Sequence, residues 1–182
     1  MNYVVVGINH KTAPIAVRER LALDRAQGLA VLASALKQTN IDEATVISTC
    51  NRVELYGVTE DADQARDVLA QVLGAVDPTQ DINAHLYYKK NQEAIEHLFE
   101  VTASLDSMVT GENQITGQVK QAFEMAVQSQ ATGTHLNQLF NRAFYVAKRV
   151  KTETQISKGN VSVGSVAVML ARKIFGKLNE KN

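Results

Sequence analysis

The chain has 182 residues, with 19 basic and 19 acidic side chains, 45% hydrophobic residues and one cysteine. Its length suffices for one good core or two small ones, its composition excludes wholesale disorder, and its neutral net charge argues against a protein that coats nucleic acid without specificity. One cysteine excludes an internal disulfide framework and a cysteine-rich zinc site, and the lack of a long apolar run or signal-peptide pattern predicts a cytoplasmic protein.

The first half of the chain alternates strand-like and helical segments. Apolar residues at helical spacing predict helices over 24–37, which Asp24 would cap, and over 64–73. Short apolar runs bounded by polar residues predict strands at 3–8, 44–49, 53–58 and 85–89, the last of which is weakly marked. The order strand, helix, strand, strand, helix, strand is that of a ferredoxin-like α+β subdomain, which we place at residues 1–90.

The second half of the chain shows only helical periodicity. Apolar residues recur every three to four positions in four stripes, at 94–105, 115–126, 136–150 and 163–178. We predict an antiparallel helical bundle over 91–156, followed by a last helix and the start of a linker over 157–182. The predicted fold class is therefore α+β, a ferredoxin-like half followed by a helical bundle.

The turn between the second and third predicted strands carries the most informative residues. Cys50 lies beside Asn51, which tolerates left-handed turn conformations, and two positions before Arg52. A cysteine nucleophile needs exposure and nearby positive charge to populate its thiolate, and an arginine can also clamp a carboxylate through two hydrogen bonds. A lone cysteine is equally well a small buried hydrophobe, so the residues alone leave both interpretations open.

Residues of the helical half can contribute to the same site. His97 lies at the edge of the first helical stripe, where it can act as a base or as a half-buried structural histidine, and His10 competes with it. Gln114 and Gln118 lie four residues apart beside the second stripe; they can bind an ammonium or carboxylate group, together with Ser107, or form an exposed polar face. The sequence contains no dinucleotide-binding glycine fingerprint, Walker motif or metal-ligand spacing.

Several segments of the chain, in order, resemble motifs of the glutamyl-tRNA reductase family. They read GINHKTAP at 7–14, STCNRVELY at 48–56, SLDSMV at 104–109, GENQI at 111–115 and VAKRV at 146–150. The resemblance implies that the chain is the N-terminal catalytic domain of such an enzyme. It departs from the usual family pattern at Asn113, where proline is common, and at Thr110 and Thr116, where apolar residues are common.

The resemblance also implies a reaction and roles for individual residues. In that family a cysteine attacks the ester that joins glutamate to its tRNA, and NADPH reduces the resulting thioester to glutamate-1-semialdehyde for tetrapyrrole and heme biosynthesis. Cys50 would be the nucleophile, His97 would be the histidine important for activity, and Arg52 would bind the side-chain carboxylate of glutamate. The substrate-binding positions of the family fall on Thr49, Asn51, Arg52, Ser107, Glu112, Asn113, Gln114 and Gln118.

The length of the chain limits what the resemblance implies for it. The NADPH-binding and dimerisation domains of the family follow this region, so we expect an excised domain that is acylated, or that hydrolyses the ester slowly, but that cannot reduce it. Implied partners are the glutamyl-tRNA substrate, a second copy in the full-length homodimer and glutamate-1-semialdehyde aminotransferase. The fragment itself is expected to be a monomer, with no metal and no membrane association.

Two other functions fit the same residues. The chain can be a stand-alone cysteine esterase or transacylase that acts on amino-acid esters, or a non-catalytic binding domain whose cysteine is structural. The basic end of the third bundle helix, which includes Lys148 and Arg149, suits the helix dipole and can also meet a phosphate backbone. The reactivity of Cys50 and its preference for tRNA-linked esters distinguish these alternatives.

Overall fold

The computed structural model describes residues 1–79, 81–108, 111–112, 114–154 and 156. The predicted helix and linker over 157–182, together with Thr110 and Asn113, lie outside the described residues. The elements of the described part are, in chain order, β1 (Asn2–Asn9), α1 (Ile15–Leu21), α2 (Arg25–Leu36), β2 (Glu43–Ser48), β3 (Arg52–Thr59), α3 (Ala62–Gly74), a 3₁₀ turn (Asn83–His85), β4 (Tyr87–Lys90), α4 (Gln92–Thr102), α5 (Gln114–Gln128) and α6 (Thr134–Glu153).

The four strands form one antiparallel sheet in the order β2-β3-β1-β4. The two central strands are covered on both faces, which explains why β1 reads as an unbroken apolar run rather than an alternating one. Gly7 of β1 is needed where this strand passes β3, because a Cβ atom there would lie 2.6 Å from the Val53 carbonyl oxygen and 2.9 Å from the Glu54 Cγ. A side chain at position 7 would therefore clash with β3 beside Glu54.

Two hydrophobic cores lie on opposite faces of the sheet. Val4, Val6 and Ile8 point into the core shared with α1, α2 and α3, whereas Val5 points into the core shared with α4, α5 and α6. The alternation of side chains along a strand produces this division. The structure confirms a mixed α/β chain whose antiparallel sheet is followed by helices, as the sequence predicts.

The helices agree with the periodicity, with two exceptions. Asp24 caps α2 as predicted: its Oδ1 accepts from the Gln27 N–H at 2.8 Å, and the Gln27 side chain accepts from the Asp24 N–H at 2.9 Å. The short helix α1 is absent from the sequence prediction because it is only two turns long. The prediction that Leu105 extends the stripe of α4 is wrong, since α4 ends at Thr102 and Leu105 is exposed. None of the described helices is both long and apolar enough to span a membrane.

Candidate active site

Cys50 lies at the tip of the hairpin that joins β2 to β3, and its side chain is exposed. The hairpin closes through a hydrogen bond of 2.9 Å from the Thr49 N–H to the Arg52 carbonyl oxygen. The Thr49 hydroxyl oxygen accepts from the N–H groups of Asn51 and Arg52, each at 3.2 Å. Because β3 begins only at Arg52, Cys50 belongs to the turn rather than to the strand face that carries Arg52.

Arg18 of α1 holds this turn through hydrogen bonds. Its side chain is buried, and Nη1 donates to the Cys50 carbonyl oxygen at 2.8 Å and to the Asn51 side-chain oxygen at 2.9 Å. Its Nε donates to the Ala13 carbonyl oxygen at 3.2 Å, and the His10 N–H donates to the Asn51 carbonyl oxygen at 3.0 Å. Arg18 is not among the site residues predicted from the sequence. Its buried side chain, in the unpredicted helix α1, fixes the cysteine turn and places positive charge beside it.

A small cavity of about 50 Å³ borders Cys50. Three separate segments line it: the hairpin turn, the loop after α4 and the start of α5. All the predicted substrate-binding residues within the described part of the chain contribute to this lining, with Cys50 between them: Thr49, Asn51, Arg52, Ser107, Glu112, Gln114 and Gln118. Asn113, the remaining predicted residue, lies outside the described residues. The apolar side chains of Met108 and Ile115 complete the wall.

The loop between α4 and α5 folds back on itself to present Ser107 to this cavity. Ser104 and Gly111 both have positive φ, 62° and 86°, and the Gly111 N–H donates to the Ser104 carbonyl oxygen at 3.0 Å. The Thr116 hydroxyl ties α5 to α4 by donating to the Thr102 carbonyl oxygen at 2.8 Å. The polar residue at 116, where the family commonly has an apolar one, therefore has a partner inside the fold.

Arg52 is the centre of a buried charged cluster. Its side chain is 1% exposed, and Nη1 donates to Glu54 Oε1 at 2.5 Å. Nη2 donates to the carbonyl oxygen of Asp106 and to its carboxylate oxygen Oδ2, the latter at 3.2 Å. Lys11 contacts the other carboxylate oxygen of Asp106. Carboxylates of the protein thus engage both terminal nitrogens of the guanidinium.

Glu54, which is fully buried, collects hydrogen bonds from three further side chains. Tyr56 donates its hydroxyl to Oε2 at 2.9 Å, and Tyr87 donates its hydroxyl to Oε1. His97 Nε2 lies 2.9 Å from Oε1, and since an ionised carboxylate can only accept, Nε2 carries the hydrogen. A role for His97 as a base would therefore use its other ring nitrogen, Nδ1.

His97 lines a second cavity, of about 270 Å³, rather than the one that borders Cys50. Tyr87, Asp106, Lys11 and Lys89 share the walls of this second cavity. The Cys50 cavity and the His97 cavity meet where Arg52, which lines the Cys50 cavity, contacts Asp106, which lines the His97 cavity. The structure therefore brings Cys50 and the predicted substrate-binding residues of its described part together, whereas His97 is connected to them through Glu54 and Arg52.

The cluster keeps its carboxylates ionised. Burial alone would raise the pKa of Glu54, but the charge of Arg52 and the hydrogen bond from His97 outweigh burial and hold that pKa well below its ordinary value. Burial also favours a raised pKa for Asp106, and Lys11 and Arg52 again reverse the effect. Burial raises the pKa values of Tyr56 and Tyr87 well above normal, so both remain neutral hydrogen-bond donors to Glu54.

Acid should destabilise the fold through Glu54. Its pKa is lower in the folded chain than in the unfolded one, so its stabilising contribution is complete above the ordinary carboxyl pKa of about 4.3 and is lost as the pH falls through the depressed folded value. We expect the free energy of unfolding from urea titrations to fall steeply below about pH 4. Glu54→Gln should weaken this dependence; an equal acid sensitivity in both proteins would contradict the prediction.

The described residues near this site contain no group that could hold a metal ion. Among the residues that the structure describes, no three histidine, cysteine, aspartate or glutamate side chains lie close enough together to bind one. The functional groups at the candidate site are therefore a thiol, an arginine, hydroxyls, amides and carboxylates. This set suits recognition of a small charged molecule and nucleophilic attack on it.

Comparison with known proteins identifies the family. Residues 6–154 match the family model described as glutamyl-tRNAGlu reductase, N-terminal domain. The glutamyl-tRNA reductases of Magnetococcus marinus and Geobacter sulfurreducens are both 46% identical to the chain, over 98% and 100% of its length. The structure of glutamyl-tRNA reductase from Methanopyrus kandleri has a TM-score of 0.74 and 34% identity over 98% of the chain. The chain belongs to the glutamyl-tRNA reductase family.

The match covers only part of each relative. The chain spans 43% of the Magnetococcus protein, 42% of the Geobacter protein and 41% of the Methanopyrus chain. The matching family model is that of an N-terminal domain, so residues 6–154 correspond to the N-terminal part of proteins in this family. The Cys50 cavity is accordingly a feature of this N-terminal part.

Proposed function

We propose that the chain is the catalytic domain of a glutamyl-tRNA reductase and that Cys50 is its nucleophile. The Cys50 thiolate attacks the carbonyl carbon of the ester between glutamate and the terminal ribose of its tRNA. A carbon–sulfur bond forms, the carbon–oxygen bond of the ester breaks, and the ribose hydroxyl leaves with a proton from water. The observation that carries the proposal is the exposed Cys50 at the edge of the cavity lined by the predicted substrate-binding residues.

The lining of the cavity supports glutamate as the acyl group. Arg52 offers a positive charge for the side-chain carboxylate, which would approach beside the carboxylates of Glu54 and Asp106 that already hold the guanidinium. Glu112 offers a negative charge for the ammonium group, and Gln114 offers an amide. A cationic and an anionic side chain in one lining fit the carboxylate and the ammonium group of a glutamyl ester.

We assign His97 a positioning role in this reaction. Its hydrogen bond to Glu54 and the ion pair between Glu54 and Arg52 connect it to the proposed carboxylate site, whereas it lines a different cavity from Cys50. Loss of His97 should therefore raise the KM for the glutamyl ester through Arg52. A base at Cys50 is not needed for a thiolate that attacks an activated ester.

The remaining activity belongs to the longer protein. We propose that the full-length enzyme reduces the thioester with NADPH to glutamate-1-semialdehyde in tetrapyrrole and heme biosynthesis, as a cytoplasmic homodimer that passes its product to glutamate-1-semialdehyde aminotransferase. Within this chain we propose a ferredoxin-like subdomain at 1–90, which the strand order β2-β3-β1-β4 supports, and a helical-bundle part at 91–156. Residues 157–182 would lead to the NADPH-binding domain.

The test is the intact mass of the chain after rapid mixing with glutamyl-tRNA. We expect a mass increase of one glutamyl group that hydroxylamine removes, as it removes a thioester. Alkylation of the chain beforehand should prevent the increase, because Cys50 is the single cysteine of the sequence. Loss of the tRNA ester without an adduct, if alkylation abolishes it, would also support acylation followed by hydrolysis.

Two outcomes would overturn the proposal. An intact ester and an unmodified chain, with a thiol that does not react with alkylating reagents, would indicate a binding domain whose cysteine is structural. Equal acylation by glutamyl-tRNA and by a simple glutamate ester would indicate a stand-alone esterase or transacylase. Both measurements use the unmodified 182-residue chain.

A further inference from the structure

A larger cavity adjoins the one that borders Cys50. It has a volume of about 360 Å³ and lies between α2 and α5, over the edge strand β2. Gln118 lines both cavities, and Ser48, in the wall of the larger cavity, precedes Thr49, in the wall of the smaller one. The two cavities thus share Gln118 as a common lining residue, and their walls meet between Ser48 and Thr49.

The chemistry of the ester requires space for a nucleoside close to Cys50. The glutamyl group is esterified to a ribose hydroxyl, so a nucleoside is attached directly to the oxygen that leaves when Cys50 attacks. If glutamate occupies the small cavity lined by Arg52, the ribose and its base must lie on another side of Cys50. The larger cavity shares Gln118 with the cavity that borders Cys50, and its volume is within the 300–1,000 Å³ range typical of small-molecule sites.

The walls of the larger cavity suit a nucleoside. Leu23 and Met125 supply apolar surface, and a thioether packs well against an aromatic ring. Gly28 keeps the space open, because a Cβ atom there would lie 3.0 Å from Met125 Cε. Gln121 is exposed, and its side chain has no hydrogen bond to another residue that the structure describes, so its side-chain amide can meet a base edge.

A positive charge lies at the same rim. The Arg25 guanidinium donates to the Gln128 side-chain oxygen at 2.9 Å, which holds it across the gap between α2 and α5. A phosphate on the 5′ side of the nucleoside would find a charge-assisted partner there. The neighbouring Asp24, which also lines the cavity, uses its Oδ1 to cap α2.

We propose that this cavity binds the 3′-terminal nucleoside of the aminoacylated tRNA, with the base against Leu23 and Met125 and its 5′ phosphate at Arg25. The inference rests on the proposed function and deepens it, because it assigns the leaving group of the acylation to a site of its own. The site selects an ester of a nucleotide over an ester of a simple alcohol.

The test compares acylation of Cys50 by three glutamyl donors: glutamyl-tRNA, 2′(3′)-O-glutamyladenosine and a glutamate α-thioester that has no nucleoside. The variant Gly28→Leu fills the cavity, and Ala26→Leu, at an exposed position of the same helix, is the matched control. Contacts to one base are worth roughly 1–3 kcal/mol, so Gly28→Leu should slow both nucleoside-linked donors by about 10- to 100-fold. The thioester should react at the wild-type rate, and Ala26→Leu should leave all three rates unchanged.

A second variant isolates the phosphate contact and does not alter the core. Arg25→Gln should slow glutamyl-tRNA, which carries the 5′ phosphate, and leave glutamyladenosine, which lacks it, unaffected. The acylation assays contain no NADPH, so a slower reaction of the tRNA-linked ester cannot result from a dinucleotide bound in the cavity.

The outcomes separate the two proposals. Equal rates for Gly28→Leu and wild type, or equal slowing of all three donors by a Gly28→Leu protein whose circular dichroism matches wild type, would overturn the nucleoside site and leave the role of Cys50 intact. If Gly28→Leu does not fold, Arg25→Gln decides in the same way: equal effects on glutamyl-tRNA and glutamyladenosine would overturn the site. Acylation of the wild-type chain by none of the donors would overturn the proposed function itself.

Discussion

Replacement of Cys50 by serine is expected to lower the rate of glutamyl transfer from tRNA by more than about a thousandfold. A serine hydroxyl is a weak nucleophile at neutral pH unless a base lies within hydrogen-bond reach. His97, the predicted base, lines the neighbouring cavity and bonds to Glu54 instead. Rapid-quench assays of the tRNA ester, with wild type and Cys50→Ser at equal concentration, measure the effect.

The same substitution should leave the fold unchanged. The side chain of Cys50 is exposed, and the turn is held through the Cys50 carbonyl oxygen and through Thr49 and Asn51. Surface substitutions of this kind change the free energy of unfolding by no more than about 0.5 kcal/mol. Urea unfolding provides the control, and a Cys50→Ser variant that retains more than a tenth of the wild-type rate would show that the thiol is not the nucleophile.

Glu54→Leu is expected to lower the free energy of unfolding by about 3–5 kcal/mol. The substitution leaves the guanidinium of Arg52 buried without its closest carboxylate and removes the acceptor for Tyr56 and His97. A buried charge that keeps only Asp106 as a carboxylate partner is far less favourable than the complete cluster. Urea unfolding at neutral pH measures the loss, which is a large fraction of the stability of a small domain.

A double variant tests whether the ion pair is the cause. Arg52→Met combined with Glu54→Leu removes both charges, so it should be less destabilised than the two single variants together. The exposed pair of Lys90 and Asp63 is the comparison, and Lys90→Met should have little effect. Additive losses at Arg52 and Glu54 would mean that shape, rather than charge, explains the effect of Glu54→Leu.

Local sequence signals predict much of this fold. Asp24 with Gln27 three residues later marks the start of α2, and apolar runs on both sides of Cys50 mark the hairpin. These features depend on residues close together in the chain. The helix α1 escapes prediction because seven residues are too few to show helical periodicity, and the contacts of Arg18 with the cysteine turn escape prediction with it.

The candidate site is harder to predict because its contacts are distant in sequence. Strand alternation can place Arg52 and Glu54 on one face of the sheet. Nothing local indicates that Asp106, 54 residues from Arg52, and His97, 43 residues from Glu54, complete the cluster. Family resemblance, not periodicity, indicates which residues line the Cys50 cavity. The proposed nucleoside cavity exists because Gly28 has no side chain to fill the space between α2 and α5. This space is evident only when the packing of the two helices is known.

The anchoring of the cysteine turn by Arg18 has a practical consequence. Arg18 binds a backbone carbonyl and the neighbouring Asn51, so the shape of the turn does not depend on which side chain stands at position 50. A short primary amine introduced there by unnatural amino-acid incorporation would occupy the place of the sulfur in an unchanged loop. Its product with the glutamyl ester would be an amide, which resists water and hydride alike. Such a variant would be a stable analogue of the proposed thioester intermediate.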